Sequence, residues 1–306
     1  MTQGQDNGPL PEAARARMAE IRQSHTWGSA LSTHEFAAVK GAGFDPVGQV
    51  LGTAVFQIGY TGGWGCSGAW SYYGGGAGAQ VSSSAWAPFS ALVNTMYAAR
   101  RLAISRAVAE CESLGGDGIV GAILKVKRFP AGGLEFTTIG TAVRARGNVR
   151  PKKPFTSHVT GQEFAKLIHA GYVPASLVLG ISIATRHDDW LTLGQNRWNA
   201  GNQEITGYTQ LVNHARHDAR TQLTRDVKQH NADGVVVDEV DLNISERECP
   251  SQQHGRDHIA EVTLIGTAIA RFAKQSERQH VGPSLPILSL DPQRRQAARV
   301  RLGRTS

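Results

Sequence analysis

A chain of 306 residues, 41% hydrophobic and 19% charged, has the length of about two globular domains and a composition that excludes a disordered chain. No stretch approaches the ~18 apolar residues needed to span a bilayer, and Met1 to Leu10 lacks the basic-then-apolar order of a signal peptide, so the sequence predicts a cytoplasmic protein without membrane contact. The net charge is +7, of which residues 144–153 carry +5 and residues 274–306 carry +5, leaving −3 on the rest; the globular bodies are not basic, and nucleic acid or an acidic partner held by the tail is the lesser reading.

In chain order, residues 1–26 read as an N-terminal extension in which Pro11-Glu12 opens an Ala- and Arg-rich helix running to Arg22. Ser32-Thr33-His34-Glu35 is a capping-box pattern for a short helix ending at Gly41 or Gly43. Pro46 leads into a β-type run, Val47 to Ile58. Residues 59–79 follow, with nine glycines interleaved with Tyr60, Trp64, Trp70, Tyr72 and Tyr73. The segment has no Gly-Lys-Ser/Thr, which excludes a Walker-type phosphate loop, and its aromatics make it a candidate adhesive surface within an oligomer or toward a protein partner. Val93, Tyr97, Ile104, Val108, Cys111 and Leu114 then fall on one helical face. Gly115 to Gly118 break that helix, and two strands follow, Ile119 to Arg128 and Leu134 to Arg144, joined by a tight reversal at Pro130, Gly132 and Gly133.

The order then repeats. Glu35-Phe36-Ala37 returns as Glu163-Phe164-Ala165 and Val50-Leu51-Gly52 as Val178-Leu179-Gly180, both 128 residues on. Asp117-Gly118-Ile119-Val120 returns as Asp233-Gly234-Val235-Val236 at 116, and Ile139-Gly140-Thr141-Ala142 as Ile265-Gly266-Thr267-Ala268 at 126. Insertions confined to loops mark a duplicated domain. Copy two has a capping box at Thr160 to Glu163, a strand from Ala175 to Thr185, a long helix with Leu211, Ala215, Ala219, Leu223 and Val227 in steps of four, and strands Val235 to Ile244 and Ile259 to Phe272. The divisions are an extension 1–26, a domain 27–148, a basic linker 149–154, a second domain 155–273 and a basic Pro- and Arg-containing tail 274–306.

Each copy reads helix, strand, long helix, strand, strand: an α+β class with a small, mostly antiparallel sheet on one long helix. Three strands under one helix leave sheet margins uncovered, so assembly with further copies is expected. The candidate metal ligands are Cys249, His254 and His258, placed in the polar connection Ser245 to Asp257, whose donors suit a divalent or soft ion. His214 and His217 read as a solvated helix face and Cys111 as core. Cys66, Cys111 and Cys249 are far apart and form no CxxC pair, which excludes a disulfide framework or zinc knuckle. Glu35 and Glu163 are explained as caps, and Asp117 and Asp233 as turn residues. No nucleophile, base or carboxylate pair is shared by both copies, so no catalytic residue is assigned and a non-enzymatic protein is expected.

Leu114-Gly115-Gly116-Asp117-Gly118-Ile119-Val120-Gly121 followed by Ile139-Gly140-Thr141-Ala142-Val143 resembles the YbjQ-like family of small bacterial proteins, labelled heavy-metal-binding domains. That resemblance implies tandem β-α-β-β domains of the dodecin-like kind and a ring-shaped homo-oligomer, typically a pentamer. The reading is then an oligomeric scaffold or binding protein without cofactor, with a metal-binding or metal-sensing protein as the alternative.

Overall fold

The computed structural model describes residues 10–24, 26, 28–57, 78–84, 87, 89–128, 133–147, 150–248 and 256–272. Helix α1 spans Glu12–Ser24, α2 Thr33–Gly41, α3 Ser90–Ser113, α4 Gly161–His169, α5 Trp190–Gln195 and α6 Thr206–Gln229. The strands are β1 Phe44–Gln57, β2 Gln80–Val81, β3 Gly118–Arg128, β4 Gly133–Ala145, β5 Phe155–Thr156, β6 Tyr172–His187, β7 Gly234–Glu248 and β8 Arg256–Arg271. They form two four-stranded sheets, β1-β4-β3-β5 and β2-β6-β8-β7, an α+β architecture. Among these residues no helix is long and apolar enough to cross a membrane.

Both capping boxes form: Ser32 N donates to the Glu35 carboxylate at 2.8 Å and Thr160 N to that of Glu163 at 2.9 Å, with each hydroxyl accepting from the glutamate N–H. The long helices lie on the sheets through small residues. Ala99, Ala103 and Ala107 of α3 and Ala215 and Ala219 of α6 are fully buried, and the strands meet them at Gly52 and Gly180. A Cβ at those glycines would stand 1.8 Å from the Ala103 carbonyl oxygen and 2.2 Å from that of Ala219, so only glycine permits the approach. Where α3 ends on Gly115 (φ +70), α6 ends on Asn231 with φ 50; asparagine is the residue that most readily replaces glycine in the left-handed region.

The strand pairing is equivalent in the two copies, with Val50 opposite Gly140 and Val178 opposite Gly266. Pro46 and Pro174 lie inside β1 and β6, each at a register shift where a missing N–H is tolerated. The strands therefore start earlier than their prolines suggested.

Other departures are additions. Strand β5 and helix α5 carry no periodic pattern long enough to read. Residues expected in the polar connection Ser245 to Asp257 are partly strand: Glu246 pairs with His258 and Arg247 with Asp257. This end of β7 is exposed on both faces, so its ladder bonds hold it and it has no apolar alternation to betray it. The N-terminal extension is docked: Met18 of α1 is 1% exposed and Arg17 pairs with Glu110 of α3.

Candidate functional site

Of the three expected metal ligands, His258 is in β8, near the start of a paired strand and 4% exposed. Cys249 and His254 lie outside the described residues, as do Tyr60, Trp64, Trp70, Tyr72, Tyr73 and the tail. Among the described residues no group of three or more His, Cys, Asp or Glu is placed to hold a metal ion.

His258 belongs instead to a buried polar cluster at the far end of sheet two. Its Nε2 lies 3.0 Å from Asp188 Oδ1, at an angle too poor for a hydrogen bond, and its ring packs at 4.3 Å against that of Tyr208, tilted by 51°. Tyr208 donates to Asp188 at 3.3 Å; burial, then the Asp188 charge, pushes its hydroxyl up to about 12. Arg186, 5% exposed, bridges Asp189 (2.7 Å) and Gln210 (3.0 Å), and His187 Nδ1 lies 2.9 Å from Asp257. Asp189 also caps α5 by accepting from Thr192 N at 2.7 Å. These acids face Arg186, His187 or His258, contacts that tie α5 and the start of α6 to the strand ends. The aligned stretch of copy one is the glycine-rich segment, and Ile58, Gly59, Tyr60 and Thr61 stand where copy two has Arg186 to Asp189.

A second polar feature is shared by both copies and escaped the sequence reading. Glu110 of α3 accepts from Leu51 N at 2.7 Å, and Asp226 of α6 accepts from Leu179 N at 3.0 Å, the same pair of positions at offsets 116 and 128. Burial raises the Glu110 carboxyl while Leu51 N–H and Arg17 oppose the shift. The signal lay in an acid at matching positions of two apolar stripes. Asp117 and Asp233 match similarly: besides turning the chain, each carboxylate accepts from the end of the last strand, Ala145 N at 2.8 Å and Arg271 N at 2.7 Å. Part of the basic run 144–153 is paired, since Arg150 meets Asp117 at 2.7 Å and Arg146 meets Asp45 at 2.7 Å, while Lys152 and Lys153 are exposed.

The most extensive surface with functional character is the joint between the copies. Residues 155–159 of copy two run along the outer edge of β3, with β5 parallel to it. Phe155 N donates to the Asp117 carbonyl, Ser157 N to that of Ile119, Gly121 N to that of Val159 and Ala122 N to that of Ser157, at 2.8 to 3.1 Å. Phe155, Val159 and Phe164 share a core with Val39, Val120 and Val143 of copy one, and the Phe155 and Phe164 rings stack at 5.7 Å. Helix α2 meets α4, where Gly161 N donates to Glu35 at 3.3 Å. The start of α3 covers the outer face of β6: Phe89, Val93 and Met96 pack with Ile181 and Ile183, and Ile181 N donates to Tyr97 Oη at 2.8 Å. Arg100, 7% exposed, faces Glu261 across this joint.

Copy one's β3 margin is thus sealed within the chain over Gly118 to Ala122, contrary to the expectation that both margins stay open. Copy two's is not. β7 has β8 on one side and no strand on the other among the described residues. Ile119 and Val120 are 0% exposed, yet their counterparts Val235 and Val236 are half-buried, and Val237, Val240 and Ile244 are 44%, 58% and 53% exposed. The same motif is fully buried in one copy and only half-buried in the other, where Val235 and Val236 lie at the margins of the cores.

No family model matches the chain and no solved structure matches it. Among curated proteins, the encapsulin nanocompartment protein Rv1762c of Mycobacterium tuberculosis is 30% identical over 240 residues, which cover 74% of this chain and 81% of that protein. This overturns the YbjQ-like assignment, and the dodecin-like and heavy-metal-binding labels attached to it fall with it: the glycine-rich turn and the Gly-Thr-Ala strand that carried the resemblance are backbone devices that unrelated families share.

Proposed function

Because this chain belongs to the family of the encapsulin nanocompartment protein Rv1762c, we propose that it is a non-enzymatic, self-assembling scaffold that serves as a component of a protein nanocompartment in the cytoplasm. The observation that carries the reading is the asymmetry between equivalent stretches of the two sheet margins: Gly118 to Ala122 of β3 are sealed by strand addition, while among the described residues Gly234 to Asp238 of β7 have no strand beside them and Val237 is 44% exposed. An unpaired edge bearing apolar side chains invites a partner. Catalysis is not required to explain the buried polar groups, because the cluster around Arg186 and the pair Glu110 and Asp226 each fasten an element of the fold. Light scattering on the purified full-length chain tests the reading. A discrete particle holding several copies of the 32.8 kDa chain supports it, and a monomer at every concentration refutes it.

A further inference from the structure

The repeat offset of 128 aligns residues 28–31 with residues 156–159, and both segments engage their own copy identically. Ala30 N donates to Thr141 Oγ1 at 3.0 Å with Ser29 Oγ 3.2 Å from the same hydroxyl; His158 N donates to Thr267 Oγ1 at 3.1 Å with Ser157 Oγ 3.4 Å away. The two differ in what their other side meets. Thr156, Ser157 and Val159 are at most 3% exposed because they also lie on β3, whereas Gly28 and Ala30 are exposed and Ser29 and Leu31 half-buried. A Cβ added at Gly28 meets nothing within 4 Å. Among the described residues, one chain therefore presents both halves of an unmade joint: an incoming segment without an edge, and an edge, β7, without a segment.

We propose that the β7 edge of one chain is covered by residues 28–31 of a second copy of this chain, repeating between molecules the joint that 155–159 makes within one. The proposal rests on the self-assembly reading and assigns its contact. Carried over by the offsets, Asp238 N donates to the Ser29 carbonyl and Ser29 N to that of Val235, from the bonds that Ala122 and Ser157 make internally; Val237 lacks the positive φ of Gly121 and pairs with Gly266, so the Gly121 bond has no counterpart. A shelf for an aromatic ring is also present. At Gly118 the Phe155 ring lies 2.3 Å from a would-be Cβ, while at Gly234 the nearest atom is the chain's own Ile269, at 3.7 Å; the sequence places Trp27 where copy two has Phe155.

The two joints are not identical, and the differences have one direction. The internal pair α2–α4 closes on Gly161, where a Cβ would stand 2.7 Å from Glu35, but copy one has Thr33 there, so the outer helix pair is wider. Val93 and Tyr97, which cover β6, correspond to Thr209 and Asn213 on α6, and Met96 to the smaller Val212. The outer joint is more polar, as suits a surface exposed to water until assembly. A head-to-tail contact of this kind propagates as a ring when its rotation closes and as a filament when it does not.

The test is cross-linking in the full chain with Cys66→Ser and Cys249→Ser. Thr156 lies beside Ile119 in the parallel register, so Gly28→Cys and Val235→Cys become neighbours across the seam, and a short bis-maleimide should give a covalent ladder at multiples of 32.8 kDa, absent from either single variant. Ala30→Cys with Asp238→Cys, both exposed positions, repeats the test without altering a packed side chain. An assembled chain that gives no ladder with either pair, or a cross-link within one chain, overturns this seam and leaves self-assembly standing. A monomer overturns both.

Discussion

Alanine at Gly118 and at Gly234 makes the same chemical change at equivalent positions of the repeat, with opposite expected results. Neither glycine has positive φ, so the backbone accepts alanine at both. At Gly118 the new methyl stands 2.3 Å from the Phe155 ring, which is 9% exposed and packed against Phe44 and Phe164. The ring cannot yield without leaving its core, so overpacking costs ~1–3 kcal/mol, against ~0.4–1 kcal/mol recovered from the less flexible unfolded chain. At Gly234 the nearest atom is 3.7 Å away, so only the ~0.4–1 kcal/mol gain remains. Urea unfolding of dilute protein followed by circular dichroism should show Gly118→Ala destabilised and Gly234→Ala equal to or slightly above the parent. In the assembled state the order of concern reverses: Gly234→Ala should weaken association, tenfold for each ~1.4 kcal/mol lost, without weakening the fold. Equal unfolding effects at the two sites would refute the claim that one shelf is filled and the other empty.

Other expectations follow from single groups. Burial raises the Glu261 carboxyl above 4.5, against the opposing Arg100 charge; the folded chain then holds its proton more tightly than the unfolded one, and stability falls as pH rises through the folded value. Glu261→Gln should therefore gain on the parent between pH 4 and pH 7 in thermal melts, and a pH-independent difference contradicts this. Cys111, its thiol pushed up to about 12 chiefly by burial, should resist a thiol reagent at pH 8 in the Cys66→Ser, Cys249→Ser chain until denaturant is added; prompt labelling of folded protein would be inconsistent. Asn231→Ala should cost ~1 kcal/mol because φ is 50 there, with Asn231→Gly neutral or better, and equal stabilities would remove the left-handed turn from the account. Glu110→Ala strands Leu51 N–H and Arg17 and should cost ~1–3 kcal/mol, while Glu110→Gln keeps an acceptor for Leu51 and costs less.

Most elements were legible because each carried a local signal. The capping boxes at Ser32 and Thr160 and the steps of four from Leu211 to Val227 depend on near neighbours only, and the repeat confirmed each element twice. What was missed depends on distant partners. Strand β5 is two residues whose identity as strand comes from β3, 37 positions earlier for the pair Phe155 and Gly118. Glu110 looked like one charge in an apolar stripe, and its role appears only with Leu51 N–H opposite. His258 reads as a loop residue because the end of β7 that pairs with it, Glu246 to Glu248, is polar and has no buried residue to impose alternation. The YbjQ-like assignment failed for a related reason, since glycine-rich turns and Gly-Thr-Ala strands report backbone geometry rather than ancestry.

The account depends on β7 being covered by another copy, and amide hydrogen exchange reads that edge directly. At concentrations where the chain assembles, Asp238 should be protected to the degree of Ala122, whose amide donates to the Ser157 carbonyl, and should lose that protection on dilution while Ala122 keeps its own. Fast exchange at Asp238 in the assembled protein, or protection that dilution leaves unchanged, would contradict it.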